Sequence, residues 1–298
     1  MMLGAFVKRN IKLFFKDKGM FFTALITPVI LLVLYVTFLA KVYRDSFASA
    51  LPEGFAVSEK LINGCVGGEL VSSLLAVCCV TVAFCSNMLI VQDKVTGARN
   101  DILIAPVKNS VLALGYYIAA AAATLIICFI AAGAGMIYLA FVGWYIPFAD
   151  VLLLLLDVFL LVMFGTALSS VVNFFLSSQG QISAVGTIVS SGYGFICGAY
   201  MPISSFGEGL QKVISFLPGT YGTSLLRNHA MNGVFSEMER IGFPAEVIKA
   251  VRDSVDCNLY FFENEVSVGG MYAIVGASVA VLIAVYVLLN IRLGKKIR

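Results

Sequence analysis

Charge is what this sequence lacks most. Of its 298 residues only 12% are Asp, Glu, Lys or Arg, while 60% are apolar. Soluble domains carry about twice that charge, so this composition cannot make a water-facing surface. There is one histidine, His229, and no Cys/His spacing of the kind that holds zinc. His229 is expected to be a loop residue rather than a metal ligand, and no metal site is expected. No G-x-x-x-x-G-K-[ST] occurs, which closes that route to cradling ATP phosphates. Neither G-x-S-x-G nor H-E-x-x-H is present, which argues against an intramembrane hydrolase. The polar-apolar alternation of an outer-membrane barrel is missing. No internal repeat stands out, which weakens the case for carriers built from two related halves.

What is present is a set of six long apolar stretches, over residues 20–40, 70–91, 111–142, 151–176, 182–203 and 269–291. A hydrocarbon core of roughly 30 Å takes about 20 helical residues to cross. In lipid each backbone N–H and C=O must be paired within its own segment, so such runs become helices. The expected fold is an all-α integral membrane protein with six transmembrane helices, read as a single domain over 1–298.

The few charges are arranged. Lys8, Arg9, Lys12, Lys16 and Lys18 precede the first stretch. Lys94, Arg99 and Lys108 lie between the second and third, and Arg292, Lys295, Lys296 and Arg298 follow the sixth. If the chain weaves six times, these twelve fall on one side with only Asp17, Asp93 and Asp101. The positive-inside rule then puts both termini in the cytoplasm. Basic clusters also serve nucleic acid, but here they are short and abut the spans, so topology explains them and no nucleic-acid partner is expected.

Residues 3–18 read as an amphipathic helix lying at the membrane interface. Leu3, Phe6, Val7, Ile11, Phe14 and Phe15 recur at helical spacing, with Lys8, Arg9, Lys12 and Lys16 on much of the remainder. Such a helix buries its apolar face at the headgroup boundary and turns its basic face to anionic lipid. It acts either as a topology signal alone or as an entry helix that also touches a cytoplasmic partner. Ala48-Ser49-Ala50 resembles a signal-peptide cleavage site, but the preceding apolar run is too long; an uncleaved first helix is expected.

Five of the seven cysteines (Cys78, Cys79, Cys85, Cys128, Cys197) sit inside spans as small hydrophobes. Cys65 and Cys257 are both expected outside, either bridged or as free thiols. The outer loop over 41–69 carries Pro52 and Gly54. Span three has an alanine run at 119–123 with Gly133 and Gly135, which favour close helix packing. Gly194 and Gly198 form a G-x-x-x-G pair in span five, and Pro202 breaks that helix. The largest polar region, 204–268, holds eight acids against five bases and reads as extracytoplasmic. Within it, Leu210, Val213, Ile214 and Leu217 space a short amphipathic helix, and 244–255 a second.

The loop over 92–108 is charged in its first part and apolar in its second. A short helix there would turn Asp93, Lys94, Arg99 and Asp101 to the cytosol and keep Ile102, Leu103 and Ile104 against the membrane, with Pro106 ending it. That shape suits docking into a groove on another protein; a plain charged turn is the other reading.

The chain resembles the permease subunits of ABC-2 type ABC transporters over essentially its whole length. In that family the loop after span two often shows an acid, then Lys/Arg, Gly, a Leu/Ile patch and Pro. Asp93-Lys94, Gly97, Ile102-Leu103 and Pro106 match. The family's Gly-x-x-x-Pro and Leu-Pro-x-x-Tyr fit Gly198-Ala199-Tyr200-Met201-Pro202 and Leu217-Pro218-Gly219-Thr220-Tyr221. One departure is Asp93, where the family usually has Glu. The resemblance implies a division of labour. Two permease chains, identical or related, would form the pathway. Separate ATPase subunits would bind ATP and Mg2+ and dock on the 92–108 loop, so this chain would bind no cofactor itself and hydrolyse nothing. Gly194, Gly198, Pro202, Pro218 and Tyr221 would serve helix packing or gating. The cargo would be a drug, lipid-like molecule or peptide, with a glycan as the other candidate, exported across a bacterial cytoplasmic membrane.

Asp157 is the one acid well inside a span. Intramembrane acids are costly and usually face a cavity or a partner. It is therefore either a pathway residue, with Asn173 as a weaker companion, or a carboxylate that snorkels or pairs within the bundle. Used as a proton site, it would instead make the chain a gradient-driven carrier. A non-transporting scaffold or sensor with 204–268 as its binding surface is the third reading.

Overall fold

The computed structural model describes residues 2–41, 44–45, 58–104, 108–262 and 264–297. It is 85% helical. Pro52, Gly54, Pro106, Arg298 and the Ala48-Ser49-Ala50 site lie outside the described residues.

Helix α1 (Met2–Lys16) meets α2 (Lys18–Leu34) at a 71° bend. Asp17 makes the corner: its carboxylate accepts from the Met20 N–H at 3.1 Å, satisfying a donor that a helix start leaves unpaired. The helix expected over 3–18 is thus present, and it is anchored on the bundle as well as amphipathic. Its Phe14 is buried, and Phe6 packs on Gly115, where a Cβ would collide with the ring.

Helix α3 (Glu59–Asn87) is the axis of the bundle. It packs against α2, α6 (Asn109–Val142), α7 (Phe148–Phe175), α8 (Gln179–Ile196) and α10 (Pro218–Arg240). Lipid tails are as apolar as leucine, so helices in a bilayer are held by close packing and hydrogen bonds rather than by water exclusion. Both are visible. A Cβ on Gly165 would strike the Cys79 carbonyl, and one on Gly135 would strike Val71. The Asn87 amide donates to the Ser169 and Ser170 hydroxyls at 2.8 and 2.7 Å, and Ser86 meets Thr124 at 2.9 Å.

The second helix of the 92–108 loop follows the first closely: α4 (Leu89–Val95) and α5 (Ala98–Ile104) are joined at Gly97. Beyond α8, α9 (Glu208–Ile214) and α11 (Ala245–Ser254) match the two short helices expected in the polar region. A two-stranded antiparallel hairpin, β1 (Leu259–Phe261) and β2 (Asn264–Val266), leads into the last helix, α12 (Val268–Ile297).

Among the described residues, four helices are long and apolar enough to cross a membrane: Glu59–Val95, Asn109–Val142, Phe148–Phe175 and Val268–Arg292. The bent α1–α2 pair makes a fifth if counted as one span. The remaining expected span, 182–203, corresponds to α8, which is rich in Gly and Ser and is not among them.

Two expectations are corrected. Gly194 and Gly198 do not form a helix–helix face. The α8 helix stops at Ile196; Gly198 lies beyond it with φ +77°, and the Tyr200 N–H returns to the Gly194 carbonyl at 3.0 Å. That is a helix C-cap, which needs a residue without a Cβ penalty in the left-handed region, while Gly194 makes room for the Tyr200 ring. The 204–268 region is also more than a surface loop, because α10 is a 23-residue buried helix wedged against α3, α7 and α12. Its polarity hid it from hydropathy. Pro218 starts it at a position that needs no N–H, and Gly222 and Gly233 let Leu161 and the Tyr145 carbonyl come close.

Candidate functional site

The bundle carries polar networks at both ends. At the end holding α1 and the last turns of α12, Arg9 of α1 grips Asp93 of α4 through two bonds of 2.8 and 3.1 Å. The Tyr116 hydroxyl of α6 donates to the same carboxylate at 2.6 Å. Next to it, Lys94 Nζ donates to the carbonyls of Asn173, Phe174 and Leu176 at 3.1, 2.7 and 2.9 Å. These are the orphan carbonyls that close α7. An ammonium there also meets the negative end of the helix dipole. Arg99 of α5 reaches the Asn290 side chain of α12 at 3.5 Å.

This corrects the expected orientation of the loop. Asp93 and Lys94 turn into the bundle rather than to solvent; Asp93 is buried, and Arg99 is half-buried. Of the four expected charges only Asp101 is exposed. The outward face instead carries Val95, Thr96, Asn100, Asp101 and Ile104, the last 84% exposed. Gly97, with φ +82°, makes the tight turn that sets α5 across α4, a conformation that costs other residues about 1–2 kcal/mol.

At the opposite end α10 supplies the polar groups. Asp157 of α7, 2% exposed, meets His229 Nδ1 at 2.6 Å and accepts from the Tyr272 hydroxyl of α12 at 2.5 Å. Asp157 therefore pairs within the bundle. His229, expected in a loop, sits on a buried helix. Two residues before His229 on the same helix, Arg227 bonds Asp256 at 3.0 Å, the Ser73 hydroxyl at 3.2 Å and the Gly198 carbonyl at 2.7 Å. It ties α3, the α8 cap and the turn after α11 to one side chain. Burial raises the Asp256 carboxyl above its ordinary range, with Arg227 pulling the other way. Glu69 of α3 is buried in the same neighbourhood and is felt electrostatically by both.

The sequence-chosen residues are therefore divided between the ends. Asp157 and Asn173 share α7 but lie sixteen residues apart, about 24 Å at 1.5 Å per residue, and do not meet. The Asn173 amide is buried without a partner among the described residues. Pro202, Gly198, Pro218 and Tyr221 gather at the opposite end, where the Tyr221 hydroxyl donates to the Ser215 carbonyl at 2.6 Å. Arg9, Tyr116, Arg227 and Tyr272 were missed. Arg227 had a signal: it is the only charge in the eighteen residues 218–235, which are otherwise small, polar or apolar. Cys65 and Cys257 are both buried free thiols, and burial pushes the Cys257 thiol up to about 12.

The sequence model of the family described as ABC-2 family transporter protein matches residues 55–292, most of the chain. The chain belongs to the ABC-2 transporter family. It is accordingly a multi-pass membrane protein of transporter type, and the family describes an ABC transporter permease, a membrane subunit that generally works with an ABC ATPase. No curated protein matches the chain. Within this ABC-2 chain the two networks fall inside the matched range except for Arg9, which lies ahead of it on α1.

Proposed function

We propose that the chain is the permease subunit of an ATP-driven exporter in a bacterial cytoplasmic membrane. In this reading the end with α1 and the 92–108 loop faces the cytoplasm. The spans number six with α8 and the α1–α2 pair included, and the whole of 1–298 acts as one membrane domain. A second permease chain, identical or related, completes the pathway. A separate ATPase binds ATP and Mg2+ and docks on the exposed face of α4–α5. The cargo is hydrophobic or amphipathic.

The observation that carries this reading is the attachment of the loop. Lys94 caps α7, Asp93 is held by α1 and α6, and Arg99 touches α12. A force on Val95, Asp101 or Ile104 is passed to four helices at once, which is what coupling requires. A cargo moves only if its affinity differs between inward and outward states, and ATP-driven closure pressing on this loop supplies that bias. Gly97 acts as the turn of the lever, while Gly194, Gly198, Pro202, Pro218 and Tyr221 hold the far ends of α8 and α10.

The test is a gentle-detergent pull-down from native membranes, assayed for ATP hydrolysis and for a co-purifying ATPase. An ATPase that is recovered with the chain and lost when Val95 and Ile104 are changed to Asp supports the proposal. A preparation with no ATPase sinks it. The buried Asp157–His229 pair would then favour a gradient-driven carrier, to be tested by proton flux in Asp157→Asn.

A further inference from the structure

Two cavities flank the elbow between α9 and α10. The first is open and has a volume of about 600 Å³. Its walls include the carboxylates of Glu208 and Asp253 and the rings of Tyr221, Tyr260 and Phe262. The second, about 540 Å³ and also open to the surface, is almost wholly apolar and lies between α7, α8 and α12, with Leu168, Ile196, Val281 and Leu282 in its wall. Thr220 lines both. Its hydroxyl sits 3.4 Å from the carbonyls of Ile196 and Ile214, so it clamps the ends of α8 and α9 in the wall the two cavities share. In the apolar cavity the Tyr193 hydroxyl is buried with no hydrogen-bond partner among the described residues. A buried unpaired hydroxyl is costly.

The charges of the open cavity do not cancel. Asp256 is taken up by Arg227 and by the Ile203 N–H. Asp253 accepts from Asn258 and Tyr260 at 2.8 and 3.1 Å through one oxygen, leaving the other. Lys212 is the one ammonium in the wall, against Glu208 and Asp253. Carboxylates interleaved with aromatic faces are the surroundings that an organic cation selects, through Coulomb attraction and the ring quadrupoles. Each cavity falls in the size range of small-molecule sites.

From this we infer that the pair of cavities is a binding site for an amphipathic organic cation, its charged head in the open cavity among Glu208, Asp253 and Tyr260 and its apolar chain in the chamber beyond Thr220. The inference rests on the exporter reading for its biological role, but not for its test. The chain is placed in nanodiscs, and equilibrium binding is measured for tetrapropylammonium, dodecyltrimethylammonium and the uncharged dodecyl maltoside, with empty discs subtracted. The double variant Glu208→Gln, Asp253→Asn is expected to weaken both ammonium compounds by about tenfold and leave the maltoside unchanged. Val281→Trp narrows the chamber from an exposed position and is expected to weaken only the two compounds with a long chain. Ammonium binding that ignores the acid substitutions overturns the proposal, as does long-chain binding that ignores Val281→Trp. Charge-dependent binding by a chain that recruits no ATPase would keep this site and remove the exporter reading. Recruitment without such binding would do the reverse.

Discussion

Each end of the bundle holds an arginine–aspartate pair, and the two are built for different work. Arg9–Asp93 is half open: the Arg9 side chain is 36% exposed and that of Asp93 only 6%. Arg227–Asp256 is sealed, with side chains 1% and 7% exposed. When Arg9 lets go, its guanidinium can turn to water while the Tyr116 hydroxyl keeps its bond to the buried Asp93 carboxylate. A sealed pair cannot lose one member without leaving a charge in a low-dielectric interior, which suits a fixed joint. The same contrast separates Lys94, whose reach to the carbonyls of α7 comes from the loop, from His229, which is held by the buried Asp157 carboxylate.

The sharpest way to break the comparison is to cut the sealed joint. Arg227→Met is expected to destabilise the chain by about 3–5 kcal/mol, read as a large fall in thermal midpoint in nanodiscs, and adding Asp256→Asn should restore part of it. An unchanged midpoint would show that the joint is not sealed. This variant also has a pH signature. Burial already raises the Asp256 carboxyl, and losing Arg227 raises it further. In the window between its unfolded and folded pKa values the native state holds the extra proton, so stability falls as pH rises and recovers as pH is lowered. A variant that loses further stability on mild acidification would contradict that sign.

Asp157→Ala comes next, at about 2–3 kcal/mol, because it strands His229 and Tyr272 without their acceptor. Asp157→Asn keeps the shape and should cost less. Efflux altered in Asp157→Asn at normal expression would give the residue a transport role, and unaltered efflux would leave it a structural pair. At the other end Lys94→Met should cost about 1–2 kcal/mol through the lost α7 cap. Its larger effect is expected on ATPase stimulation by the assembled transporter; equal losses in wild-type-like proportion would reduce Lys94 to a cap. Gly97→Ala is expected to be the mildest, about 1 kcal/mol from the left-handed turn, with coupling changed more than the thermal midpoint.

Much of the architecture was legible in the residues. Long apolar runs in lipid have no choice but helix, so α2, α3, α6, α7 and α12 were expected, and their boundaries differ mainly where helices extend past the apolar core, as α3 does back to Glu59. The breaks at Asp17 and at the end of α8 follow from a capping carboxylate and a glycine cap, both local chemistry. The burial of Phe14 on α1 agrees with the amphipathic reading, but Arg9 turns in to Asp93 and Phe15 is exposed, and the partner on α6 was not foreseen because Gly115 advertises nothing.

What the sequence by itself determined, then, is the solvent, the helical class and the family pattern of 92–108 and 198–221, since backbone pairing, hydropathy and turn chemistry act over a few residues. What only the tertiary structure decided is where polar side chains find partners. Whether Asp93 faces water or Tyr116, whether His229 lies in a loop or against Asp157, and whether α10 is a surface segment or a buried wedge all depend on groups distant in the chain. A buried polar residue is tolerated only when such a partner is in place, and no local pattern records that a partner exists.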